Sequence, residues 1–214
     1  VGISIGDTLA AMFATIGALA ALQERNSSGQ GQIVDSAIYE AVLGVMESLV
    51  PEWQVTGYQR ERTGAVLPNV APSNVYPTRD GQWLLIAANQ DTVFSRLAKA
   101  MGTPDLAADP RYATHGARGE RQSELDDLIA GFTSGLEAAE LEALLEEHGV
   151  PSGRIFRPVD MFSDPQFAAR GSITQVEHPA LGPVAMQDVF PRLSRTRGTV
   201  RWPGPELGAH TEEV

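Results

Sequence analysis

The chain has 214 residues, enough for one large domain or two small ones and ample for a buried core. Lys and Arg number 16 against 27 Asp and Glu, a net charge of −11, which argues against a nucleic-acid partner because neutralising phosphates needs clustered cations. With no Cys, disulfides, thiolate metal sites and Cys nucleophiles are excluded, and the four His residues show no metal-ligand spacing, so no metal site is expected.

Residues 9–22 form an apolar, uncharged run that reads as too short to span a bilayer. Asp7 stands before it where a signal peptide would carry positive charge. No face of the run is polar, so the expectation is a buried helix from about residue 7 or 8 to Arg25, covered by protein that this chain does not supply. A chain that opens on such a helix reads as truncated. Neither membrane association nor export is expected, and a cytoplasmic location is. The residues Asn26-Ser27-Ser28-Gly29-Gln30-Gly31 end the helix with αL and turn formers.

Gln32-Ile33-Val34-Asp35 is a strand candidate, and a second helix is predicted over 36–56, with Pro51 kinking or breaking it. Residues 57–77 lose periodicity and carry three prolines, which reads as a linker. An Asp80-Gly81 turn between apolar runs at 74–77 and 83–88 predicts a hairpin. Helices follow at about 92–101, 121–133, 138–148 and 158–162. Strands at 173–178 and 184–190 precede a turn-rich end beginning at Arg192. The expected class is α/β: long helices over 1–56, a linker over 57–77, a small α+β module over 78–170, and a return segment over 171–214.

Asp7 is the residue with the most chemistry to offer. A Gly-Asp step at the head of an apolar helix places a carboxylate at the positive end of the helix macrodipole. It can be a plain N-cap, with the carboxylate accepting first-turn N–H groups. The same setting favours the ionised form, which serves a nucleophile or base. His210 among Thr211, Glu212 and Glu213 reads as a surface group, since no nucleophile is placed with it. Residues 137–147 read as a solvated helix face, Trp53 and Trp83 as core or interface, and Gly29-Gln30-Gly31 as a helix stop rather than a phosphate loop.

The order of motifs along the chain resembles that of the family III CoA-transferases, the CaiB/BaiF family. The resemblance begins at Ser4-Ile5-Gly6-Asp7 with its Ala/Gly-rich helix and continues through Ser28-Gly29-Gln30-Gly31-Gln32-Ile33-Val34-Asp35 and Tyr39-Glu40-Ala41. It returns at Tyr76-Pro77-Thr78-Arg79-Asp80-Gly81, Ile86-Ala87-Ala88-Asn89, Asp109-Pro110-Arg111, Gly149-Val150-Pro151-Ser152-Gly153 and Asp164-Pro165-Gln166. It ends at His178-Pro179 and Pro205-Glu206-Leu207-Gly208-Ala209-His210-Thr211. Gln30 stands where the family has a basic residue, and Ala209 where it has Glu.

What the resemblance implies is a partial CoA-transferase fold with Asp7 as the nucleophile. The substrates would be an acyl-CoA thioester and a carboxylic acid. CoA would enter as substrate, with no permanently bound cofactor, and the assembly would be an interlocked homodimer. Most CoA-binding residues are expected upstream of Val1. The same family includes 2-methylacyl-CoA racemases, whose aspartate is followed by a Gly-rich run. Here Thr8-Leu9-Ala10-Ala11 follows, which favours the transferase branch. If the upstream part is essential, residues 1–214 alone would be a catalytically silent dimerisation fragment.

Overall fold

The computed structural model describes residues 2–213. By internal contacts the chain separates into two compact units, Val1–Arg62 and Thr63–Val214. The break lies inside the predicted linker, but residues 73–77 form a sheet strand, so the linker is shorter than the sequence suggests.

The first unit holds helices α1 (Ile5–Ser28), α2 (Ile38–Gly44) and α3 (Leu49–Thr56). α1 stops at Gly29, which adopts φ 75° and returns its N–H to Arg25 O at 2.8 Å. Glycine takes this left-handed setting without the Cβ penalty. The strand expected over 32–35 is absent: these residues are irregular, and Val34 packs a side chain on α1 instead. The single helix expected over 36–56 is two. The chain turns at Glu47 (φ 53°), ahead of Pro51, which falls in the first turn of α3 where a missing N–H costs nothing.

The cover expected for the first helix is not supplied by this chain, in which no residue of α1 is buried. One short helix, α2, and the irregular segment before it cover one stripe of a 24-residue helix, leaving Met12, Ile16 and Leu19 more than half exposed. Trp53, expected in a core or interface, is 61% exposed. α1 is also longer than its apolar run. An 18-residue stretch of it has a mean hydropathy of 1.7, so by length and composition alone the helix is long and apolar enough to cross a membrane, and the argument from shortness does not hold.

The second unit is built on a three-stranded antiparallel sheet of β1 (Ser73–Pro77), β2 (Trp83–Ala87) and β3 (Ser152–Arg154), in that order. The hairpin forms as its Asp-Gly turn predicts, with Pro77 opposite Trp83 and Gly81 at φ 74°. β3 was legible only as the stop of the preceding helix. Helices α4 (Asp91–Ala100), α5 (His115–Glu120), α6 (Gln122–Thr133) and α7 (Ala138–Glu147) join the sheet around one core. Leu84 and Ile86 of β2 meet Phe94, Leu97, Leu125, Ile129, Leu141 and Leu145 there. α7 carries Glu140, Glu146 and Glu147 on its exposed side, the solvated face expected of that stretch. α8 (Pro158–Ser163), α9 (Pro165–Arg170) and an antiparallel hairpin of β4 (Ile173–His178) and β5 (Gly182–Gln187) follow. The chain thus mixes helix and sheet as expected, with every strand pair antiparallel.

Buried polar groups in this unit are paired. Tyr76, 1% exposed, donates its hydroxyl to Asp126 Oδ1 at 2.5 Å, while Asn74 Nδ2 donates to Asp126 Oδ2 at 2.9 Å. Burial, reinforced by the Asp126 carboxylate, pushes the Tyr76 phenol well above its ordinary range, so it stays a donor. Tyr76→Phe removes a hydrogen bond to a charged acceptor and should destabilise the protein by about 1.5–3 kcal/mol. Denaturant unfolding of the two proteins checks this, and equal midpoints would refute it.

Several carboxylates titrate below their usual range. The Thr78 hydroxyl acts on Asp80, the Arg118 guanidinium on Asp91, and Arg111 on Asp109. The Tyr112 hydroxyl acts on Glu124, and Arg157 on Asp160. A carboxylate depressed in the folded state adds stability above its unfolded pKa and loses it as pH falls through the folded value. The thermal midpoint should therefore be flat above about pH 5 and drop below about pH 4. Because none of these groups is buried, added salt should shrink the drop. A midpoint that rises on acidification contradicts this assignment.

Candidate active site

Asp7 lies in the first turn of α1, but it is not the cap. The N-cap position is Ser4, whose side chain makes no capping bond. Its carbonyl instead accepts the Thr8 N–H at 3.1 Å and the Thr8 hydroxyl at 3.0 Å. Asp7 is the third helical residue, still within the turn whose N–H groups carry the positive end of the macrodipole. Its carboxylate is exposed, and among the described residues no side-chain hydrogen bond or ion pair engages it. An anionic oxygen free to meet an electrophile is what a carboxylate nucleophile needs.

The helix behind Asp7 is held along one stripe. Gly6, Ala10, Phe13 and Gly17 recur at helical spacing and face residues 34–44. Ser36 Oγ donates to Ala10 O at 3.0 Å. A Cβ on Gly6 would lie 2.9 Å from Ile38 Cγ2, and one on Gly17 would lie 2.7 Å from Val34 Cγ1. These partners were not read from the sequence, although a glycine in a helix interior, Gly17, is a signal of close approach. Beside this stripe lies a cavity of about 220 Å³ bounded by Phe13, Asp35, Ser36, Glu40 and Gly44.

Other candidates resolve into structural roles. His178 Nδ1 accepts the Ala180 N–H at 3.1 Å within the β4–β5 turn. His115 and His148 place Nδ1 at 3.0 Å from the carbonyls of Asn89 and Leu144. His210 is exposed in a turn. Trp83 is half exposed at the start of β2. A polar cleft of about 290 Å³ is lined by Glu142, Arg154, Asp160 and Asp164, but its arginine is already committed to Glu142. Among the described residues no three His, Cys, Asp or Glu side chains are grouped to hold a metal.

Comparison with known proteins gives this geometry its context. The chain is 60% identical over 214 residues to the succinyl-CoA–D-citramalate CoA-transferase of Chloroflexus aurantiacus, covering 100% of this chain and 53% of that protein. It is 36% identical over 210 residues to the alpha subunit of succinyl-CoA–L-malate CoA-transferase from Chloroflexus aurantiacus, covering 98% of this chain and 49% of that subunit. The chain spans about half the length of the curated relatives it matches. A crystal structure of a CaiB/BaiF family protein from Brucella suis superposes with a TM-score of 0.79 at 29% identity, over 100% of this chain and 55% of that one. The family model for CoA-transferase family III matches residues 1–211, and the chain therefore belongs to that family.

Proposed function

We infer that the protein containing this chain transfers CoA between an acyl-CoA thioester and a carboxylic acid, with Asp7 as the covalent nucleophile. The observation that carries the reading is an exposed carboxylate in the first turn of a long helix, in a chain of this family. The Asp7 carboxylate attacks the thioester carbonyl, forming a mixed anhydride and expelling CoA thiolate. The thiolate attacks the aspartyl carbonyl of that anhydride, releasing the donor acid and leaving an aspartyl-CoA thioester. The acceptor carboxylate then attacks this thioester and again expels CoA thiolate. Attack of the thiolate on the acceptor's own carbonyl frees Asp7 and yields the new acyl-CoA. No proton or water is gained or lost over the cycle. Carboxylate and thiolate alternate as leaving groups, and acyl anhydride and thioester are close enough in energy that neither intermediate is a trap.

The 60% identical relative is named for succinyl-CoA and D-citramalate, so succinyl-CoA as donor and a small dicarboxylic acid as acceptor are the substrates we propose. Thr8-Leu9-Ala10-Ala11 after Asp7, rather than a Gly-rich run, supports transfer over racemisation. The interlocked homodimer implied by the family resemblance and the cytoplasmic location expected from the sequence belong to the same proposal. Incubating the full-length protein with succinyl-CoA and trapping with hydroxylamine should convert Asp7 to a hydroxamate detectable by peptide mass spectrometry. A hydroxamate on another residue, or α-proton exchange into deuterated water without any need for an acceptor acid, would overturn the reading.

A further inference from the structure

Gly6 immediately precedes Asp7, and its missing side chain is filled by a neighbour. Ile38, first residue of α2, sets its Cγ2 where a Gly6 Cβ would be only 2.9 Å away, with Val42 Cγ2 behind it at 3.6 Å. Contacts that short are not found between real carbon atoms, so a side chain at position 6 must displace something. Ile38 has little freedom to yield, because Cγ2 is attached directly to its Cβ and χ1 is stiff in a helix.

The first turn of α1 is the softer partner. Its leading N–H groups have no intrahelical acceptor, and Ser4 supplies no side-chain cap. We propose that the Gly6–Ile38 contact is the positioning device for Asp7: it seats the first turn of α1 on α2 and so sets where the Asp7 carboxylate points. This rests on Asp7 being the nucleophile.

Gly17 supplies an internal control. It makes the same kind of close approach, to Val34 Cγ1 at 2.7 Å. It lies ten residues beyond Gly6+1, about 15 Å along the helix, where backbone hydrogen bonds hold both sides. A side chain there should strain the packing without moving Asp7.

The experiment compares Gly6→Ala, Gly17→Ala, Ile38→Ala, the Gly6→Ala/Ile38→Ala and Gly6→Ala/Ile38→Val doubles, and Asp7→Ala in the full-length protein. The readouts are succinyl-CoA turnover and the rate of hydroxylamine-trappable adduct per folded enzyme. Gly6→Ala should lower kcat and the adduct rate about 10- to 100-fold, the scale expected of a displaced reacting group, with KM within about twofold. Adding Ile38→Ala should restore most of the rate, whereas Ile38→Val, which keeps the offending γ-methyl, should not. Gly17→Ala should form adduct at the wild-type rate per folded molecule.

If Gly6→Ala alone does not fold, the Gly6→Ala/Ile38→Ala double still decides. It should be soluble and keep most of the wild-type rate, and a double that is insoluble or as slow as about a 10-fold loss overturns the proposal. A wild-type rate in Gly6→Ala, no rescue by Ile38→Ala, or an equal loss in Gly17→Ala overturns the contact's role alone. Adduct formation by Asp7→Ala overturns the reading of Asp7 beneath it.

Discussion

Asp7→Ala in the full-length protein is expected to abolish CoA transfer, lowering kcat by at least about 1,000-fold, as removal of a covalent nucleophile does elsewhere. No acyl or CoA adduct should be trapped. Asp7→Asn, of the same shape but without an anionic oxygen, should be as inactive. Asp7→Glu keeps the anion but moves it by one methylene, and a shift of that size should cost about 100-fold. Stability separates this from a structural role. A carboxylate near a helix N-terminus contributes about 0.3–1 kcal/mol, and Asp7 is exposed without a side-chain partner among the described residues. All three variants should therefore unfold within a few degrees of wild type. An Asp7→Ala protein that still transfers CoA, or that loses transfer only because it unfolds, refutes the assignment.

The second large effect is on folding of the second unit. Arg118 is fully buried, and its guanidinium donates to four oxygens. Nε reaches Ala71 O at 3.1 Å, and Nη1 reaches Tyr112 O at 2.9 Å. Nη2 reaches Asn89 O at 2.7 Å and Asp91 Oδ1 at 2.6 Å. The guanidinium also lies over the Phe94 ring, 4.7 Å from its centre. One side chain thus ties the entry to β1, the start of α4, the turn at Tyr112 and α5. Arg118→Met keeps the stem but strands three backbone carbonyls, while the exposed Asp91 carboxylate turns to water, for a loss of about 3–5 kcal/mol. In a unit of this size that corresponds to a fall of about 10 °C in thermal midpoint. Arg118→Lys keeps the charge but has a single nitrogen for four acceptors spread around a plane, so it should recover less than half of the loss. A midpoint within about 2 °C of wild type for Arg118→Met would show that water replaces the guanidinium at no cost.

Local signals were read well where they are sufficient by themselves. The Asp80-Gly81 turn produced its hairpin, Gly29 stopped α1, and the helix expected at about 92–101 forms as α4. Readings failed where a non-local partner decides. Residues 32–35 have a strand's composition, but a strand exists only when another chain segment offers its hydrogen bonds, and Val34 meets a helix instead. β3 was invisible because three residues carry no periodicity, and it forms on the edge that β2 presents. Arg118 drew no reading from the sequence, since nothing local announces that carbonyls from residues 71, 89 and 112 will converge on it.

The helix that Asp7 sits on and the family the chain belongs to were legible in the sequence, because ordered motifs and helix-terminus signals are written in consecutive residues. The tertiary structure decided that Ser4, and not Asp7, takes the cap position, leaving the carboxylate outside the capping bonds. It also decided that Gly6 and Gly17 are glycines because Ile38 and Val34 occupy the space beside them. These pairs lie about thirty and about seventeen positions apart in the chain, and only the packing of α2 and the segment before it on α1 brings them together.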